Sequence, residues 1–116
     1  MCSTAVGSFL NAENRAQPAD MVAHIVYTAE LIGKDRTCFS TDFLYALNAF
    51  YVTQLPDTET YPPEAGFGGY SQNLLADDIW GVAGVLERDH GWTEEEVRGF
   101  LGENLMRVYA QVWRTD

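Results

Sequence analysis

The chain has 116 residues, 47% of them hydrophobic and 13% aromatic, with a formal net charge of −10. That length holds one domain at most, and that composition supports a real core rather than a disordered tail. The acidic balance argues against nucleic acid, whose phosphates need Lys and Arg, and against an anionic membrane surface; no run approaches the ~18–20 apolar residues of a membrane span.

The opening "MCSTAVGSFLN" is apolar but has no Lys or Arg before its apolar run, so it is a poor signal peptide. Residues 3–10 read as a strand with a glycine inside, and a domain that opens on a strand is expected to lack something upstream. Cys2 and Cys38 are the only cysteines. Two are too few for a disulfide framework and neither lies in a metal-binding spacing, so they are expected as reduced thiols in a cytoplasmic protein. After the polar connection 11–18, Asp20 precedes an apolar stripe at Met21, Ile25, Ala29 and Ile32. That spacing predicts an amphipathic helix stopped by Gly33. A strand over 36–41 follows, so residues 1–42 read as strand, helix, strand, a unit that builds parallel sheets.

Residues 43–54 predict a short aromatic helix. The loop "LPDTETYPPEAGFGGYSQN" then carries three of the four prolines, and a loop this long in a compact domain is usually functional. With that helix it makes an insertion over 43–75. Helical pieces fill 76–116. Ile79, Val82, Ala83 and Leu86 form one stripe, ending near Gly91. Thr93 and Glu96 suit a reciprocal N-terminal cap, with Val97, Phe100 and Leu101 behind it. After Gly102, a further stripe is formed by Leu105, Val108, Tyr109 and Val112.

Chemistry-bearing residues are sparse. His24 and His90 are the only histidines, and no spacing of a metal motif includes them, so this chain alone encodes no recognisable metal site. His24 reads as structural, and His90 as a favourable contact near a helix C-terminus. "GFGGY" at 66–70 has the glycines of a phosphate loop without its lysine or its strand-to-helix context. Asp77 and Asp78 suit a helix start. Asp42 is the residue that demands an account, because an apolar run stops on it and resumes as Phe43-Leu44-Tyr45. A carboxylate in apolar surroundings is costly unless paired. It either caps the following segment or points into a polar site at the C-terminal end of a parallel strand, where α/β folds place their chemistry.

Two long segments look like something specific. "HIVYTAELIGKDRTCFSTDF" (24–43) and "GWTEEEVRGFLGENLMRVYAQVW" (91–113) resemble, in order and spacing, the membrane (renal) dipeptidase family, and "AVGSFLN" resembles its preceding strand. The resemblance implies an α/β fold, namely a partial (β/α)8 TIM barrel made of the last two strands plus the C-terminal helices. A whole barrel takes about 250 residues. Family members are zinc-dependent dipeptide hydrolases in which two metals activate a bridging water. The family's zinc ligands, a His-x-Asp pair, a bridging Glu and two further His, have no counterpart here. Asp42 matches the Asp of the family's "SDF" and would be the catalytic residue, passing a proton to the leaving amine. The sequence departs from the family at "TDFLY", where "SDFDG" is common, and at Glu103, where "LGGN" has a glycine. Asn104 and Arg107 match "GN..RV" and read as structural.

Two functions follow. One is the C-terminal portion of a zinc-dependent dipeptidase, acting on dipeptides together with a missing N-terminal half and inactive alone. The alternative is a non-catalytic interaction module that pairs through exposed sheet edges with itself or a full-length homologue. A self-contained small α/β domain of unrelated function is a third reading.

Overall fold

The computed structural model describes residues 1–113. The last three residues of the predicted helical C-terminus, 114–116, lie outside the described residues. Strand β1 (Cys2–Thr4) leads into a one-turn helix α1 (Gly7–Leu10), and α2 (Pro18–Ile32) follows. A 3₁₀ turn at Lys34–Arg36 connects to β2 (Cys38–Ser40). Helix α3 (Leu47–Gln54), a long loop, α4 (Ile79–His90), α5 (Glu94–Arg98), a wide π-type turn at Gly99–Glu103 and α6 (Asn104–Val112) complete the chain.

Local chemistry sets most of these boundaries. Pro18 occupies the first turn of α2, where its missing N–H is no loss. The Gln17 amide donates to the Asp20 carboxylate at 2.8 Å. Met21, Val22 and Ile25 are buried, and Gly33 ends the helix at φ +94°, a conformation that favours glycine. Gly91 ends α4 in the same way at φ +64°. The Thr93 hydroxyl accepts from the Glu96 amide at 3.2 Å while the Glu96 carboxylate accepts from the Thr93 amide at 2.9 Å, the reciprocal cap the sequence predicts.

The run 3–10 does not stay extended. After Thr4 the chain turns at Ala5-Val6 and coils into α1, because Gly7 lies tightly against the segment 71–73. A Cβ on Gly7 would fall against the Gln72 carbonyl, 2.8 Å from Ser71 Oγ and 2.9 Å from the Asn14 carbonyl. The Gly7 and Ser8 amides instead donate to Asn73 Oδ1 at 3.0 Å and Ser71 Oγ at 2.9 Å, which satisfies two of the donors at the start of α1. Leu74 N to Ala5 O at 2.9 Å and Ala16 N to Gln72 O at 2.8 Å complete this seam.

β1 and β2 pair in parallel, with Cys2 opposite Cys38, Ser3 opposite Phe39 and Thr4 opposite Ser40. A disulfide joins Cys2 and Cys38. This corrects the expectation of reduced thiols: counting cysteines could not show that strand pairing brings these two face to face. In the core α2 packs on α4, with Met21, Val22, Ile25, Val82 and Leu86 buried in one cluster. Phe100 is fully buried there, edge-on to Trp92 with ring centroids 6.3 Å apart and to Phe39 at 6.2 Å.

The fold therefore differs from the expected partial (β/α)8 TIM barrel of two strands plus C-terminal helices. It is a small, mostly helical domain with a sheet of two three-residue strands. Two strands this short cannot develop the curvature and stagger of a barrel wall, and most of the other packing is between helical segments. The domain is also flat, with a radius of gyration of 16.0 Å against about 13 Å for a compact domain of this length. Among the described residues no helix is long and apolar enough to cross a membrane.

Candidate functional site

Asp42 follows β2 at its C-terminal end, in left-handed backbone at φ +52°. Asp and Asn tolerate that conformation better than most side chains. It does not cap a helix: α3 starts at Leu47, after Ala46, with no side-chain bond at its N-terminus. The carboxylate is exposed and makes no hydrogen bond or ion pair among the described residues. Of the two sequence readings, a cap or a polar site, the cap is thereby removed.

Asp42 sits on the rim of a cavity of about 270 Å³. α1 supplies Ser8 and Phe9 to one wall, α3 supplies a second wall, and the loop residues Phe67, Ser71 and Asn73 close the third side. The α3 wall is a single helical stripe, Leu47, Phe50, Tyr51 and Gln54, at the i, i+3, i+4, i+7 spacing of one helix face. Aromatic edges stiffen the surround: Phe9 meets Phe67 at 6.5 Å between centroids, and Tyr61 bridges to Phe67 at 5.6 Å and to Phe50 at 6.4 Å.

The polar groups of the cavity divide into engaged and unengaged. Tyr51, only 5% exposed, accepts from the Ser71 amide at 3.0 Å and donates to the Ser71 carbonyl at 3.1 Å, so its hydroxyl is spent on holding the loop. Ser71 Oγ donates to Asn73 Oδ1 at 2.9 Å. Gln54 is different. It is 4% exposed, and while its backbone carbonyl accepts from Asp57 N at 3.1 Å, its side-chain amide has no hydrogen-bond partner among the described residues. The one fully buried side-chain polar atom without a partner among the described residues is Thr4 Oγ1. The Gln54 amide is therefore reachable from the cavity it lines and is a free donor and acceptor there.

The other sequence candidates lie elsewhere. His24 Nε2 is 3.1 Å from the Leu10 carbonyl and ties α2 to α1. His90 is the last residue of α4. Asp78 accepts from the Leu75 amide at 2.7 Å at the entry to α4. Asn104 Nδ2 donates to the carbonyls of Lys34 at 3.0 Å and Thr37 at 2.9 Å, and Arg107 donates to the Asp35 carbonyl at 2.7 Å. Of the "GFGGY" glycines, Gly66 and Gly69 line the cavity.

Zinc, implied by the family resemblance, does not fit the residues present: among the described residues no group of three or more His, Cys, Asp or Glu could hold a metal ion. Sequence reasoning missed Gln54, Tyr51 and Ser71. The available signal was the α3 stripe, in which a polar Gln occupies the fourth position of an otherwise apolar and aromatic face.

No protein-family model matches the chain, and no solved structure does.

Proposed function

We propose that this chain supplies the acid/base carboxylate and an apolar substrate wall of a zinc-dependent dipeptide hydrolase whose metal ligands come from another chain or from a longer polypeptide. The observation that carries the reading is Asp42, an unengaged carboxylate beyond the end of a parallel strand, on the rim of an aromatic cavity. A carboxylate so placed can accept a proton and return it to the amine that leaves when a peptide bond is cut. The apolar walls suit the side chain of a small peptide, and the resemblance of residues 24–43 and 91–113 to the membrane dipeptidases supports the same chemistry.

The test is an NMR titration of the whole chain with leucyl-leucine, beside a hydrolysis assay with added zinc. Shifts confined to residues 6–9, 42–54 and 66–73, weakened in Asp42→Asn, are expected, together with no hydrolysis by the chain alone. Absence of shifts at the cavity overturns the site. Hydrolysis by the isolated chain overturns the division of labour.

A second reading, an interaction module that pairs with a second copy of itself, is favoured by a separate observation. Both outer edges of the two-stranded sheet lack a partner strand among the described residues, and no residue of α6 is fully buried. Light scattering distinguishes the two: a monomer at low salt removes the self-pairing module. For the compartment, the Cys2–Cys38 disulfide favours an oxidising environment over the cytoplasm expected from the sequence.

A further inference from the structure

We propose that Gln54 is a specificity-determining residue that selects ligands whose apolar moiety ends in a hydrogen-bonding group, an amide or a hydroxyl, over their purely apolar isosteres. This rests on the reading above that the cavity beside Asp42 is the ligand site, and adds to it the kind of side chain the site prefers.

Three observations carry it. Gln54 lines the cavity, is 4% exposed, and has no hydrogen-bond partner for its side-chain amide among the described residues. Its helical stripe is otherwise Leu47, Phe50 and Tyr51. An apolar residue there would continue the wall, so the chain places a donor and an acceptor where packing alone asks for neither. The nearby polar groups are turned to other partners: Tyr51 and Ser71 bond to each other and Ser71 to Asn73, and none of them bonds to Gln54. A ligand carrying its own amide or hydroxyl into the cavity would complete Gln54. A ligand ending in a methyl group would leave the amide buried and unpaired, the situation in which hydrogen-bonding sites reject apolar analogues. Asp42 at the rim supplies the opposite requirement, an ammonium group near the mouth.

The experiment uses the full chain and two pairs of dipeptides with a common ammonium group and backbone: asparaginyl-glycine against leucyl-glycine, and tyrosyl-glycine against phenylalanyl-glycine. Affinities are read by NMR titration. The polar member of at least one pair is expected to bind about ten-fold tighter, and Gln54→Met, which keeps the side-chain length, is expected to abolish or reverse that preference. Equal or weaker binding of both polar members by the parent overturns the role of Gln54 and leaves the cavity as a ligand site. A preference that survives Gln54→Met assigns the selection elsewhere and likewise overturns it. No binding of any of the four overturns this inference and the site together. Should Gln54→Met fail to fold, Gln54→Asn shortens the same amide and is expected to weaken the polar ligands alone; equal loss for both members of a pair overturns the proposal.

Discussion

Cys2 and Cys38 stand directly opposite each other in the parallel register and are joined by a disulfide. The bridge ties together the N-terminal ends of two segments whose C-terminal continuations, Val6 and Asp42, both reach the cavity. Their sequence separation is 36 residues, and closing a loop of that size stabilises by about 3–4 kcal/mol in chain-entropy terms. Cys2→Ser is expected to lower the denaturation midpoint by a corresponding amount. Reductant should do the same to the parent and nothing to the variant. A parent whose midpoint ignores reductant contradicts the bridge.

Asn104 is expected to be the most sensitive surface-proximal residue. Its amide joins the start of α6 to the carbonyls of Lys34 and Thr37, and Thr37 is 2% exposed. Asn104→Ala leaves the Thr37 carbonyl short of a donor, at about 1–3 kcal/mol. Chemical denaturation measures this, and Asn104→Asp, which keeps the shape but removes the donors, should cost at least as much.

The Lys34 ammonium, 2.8 Å from Glu96 Oε2 and 5.0 Å over the Trp92 ring, holds the Glu96 carboxyl below the usual glutamate range, with help from the Thr93 amide. A lowered folded-state pKa gives stability that is present above the ordinary glutamate pKa and is lost as pH falls through the lowered value. The pair is partly exposed, so its contribution is below about 1 kcal/mol. Glu96→Gln is expected to destabilise slightly at neutral pH, with the difference from the parent vanishing in acid. A difference that persists unchanged in acid means the charge is irrelevant.

Backbone strain at Asp42 can be separated from its chemistry. At φ +52° a β-branched side chain is disfavoured by about 1–2 kcal/mol. Asp42→Val should therefore lose stability, Asp42→Asn little, and Asp42→Gly none or even gain. The order Gly, Asn, Val in melting temperature is the check.

The helices were largely legible in the sequence, and the sheet was not. The stripes at Met21–Ile25 and Val82–Leu86, the stops at Gly33 and Gly91 and the Thr93–Glu96 cap all report local physics, which a window of a few residues contains. The run 3–10 misled because Phe9 and Leu10 look the same in a strand or a short helix, and what decides is the distant segment 71–73 pressing on Gly7. The barrel expectation failed for a related reason: resemblance in two segments says nothing of how many strands the chain can close. Asp42 was legible as an anomaly. Gln54 was not, because its burial depends on loop 66–73 folding over α3, a contact no helical periodicity encodes.

The hydrogen bonds from 71–74 to 5–8 and 14–16 have a consequence for cleavage. Proteolytic nicking in the proline-bearing stretch 55–65 would leave two pieces still laced together by backbone amides and by the α2–α4 contact. The nicked protein should co-elute as a single species under native conditions and come apart only in denaturant. The lining would be divided between the pieces, Val6 to Gln54 on one and Gly66 to Asn73 on the other, so whatever that hollow holds is bound by a knot of distant parts.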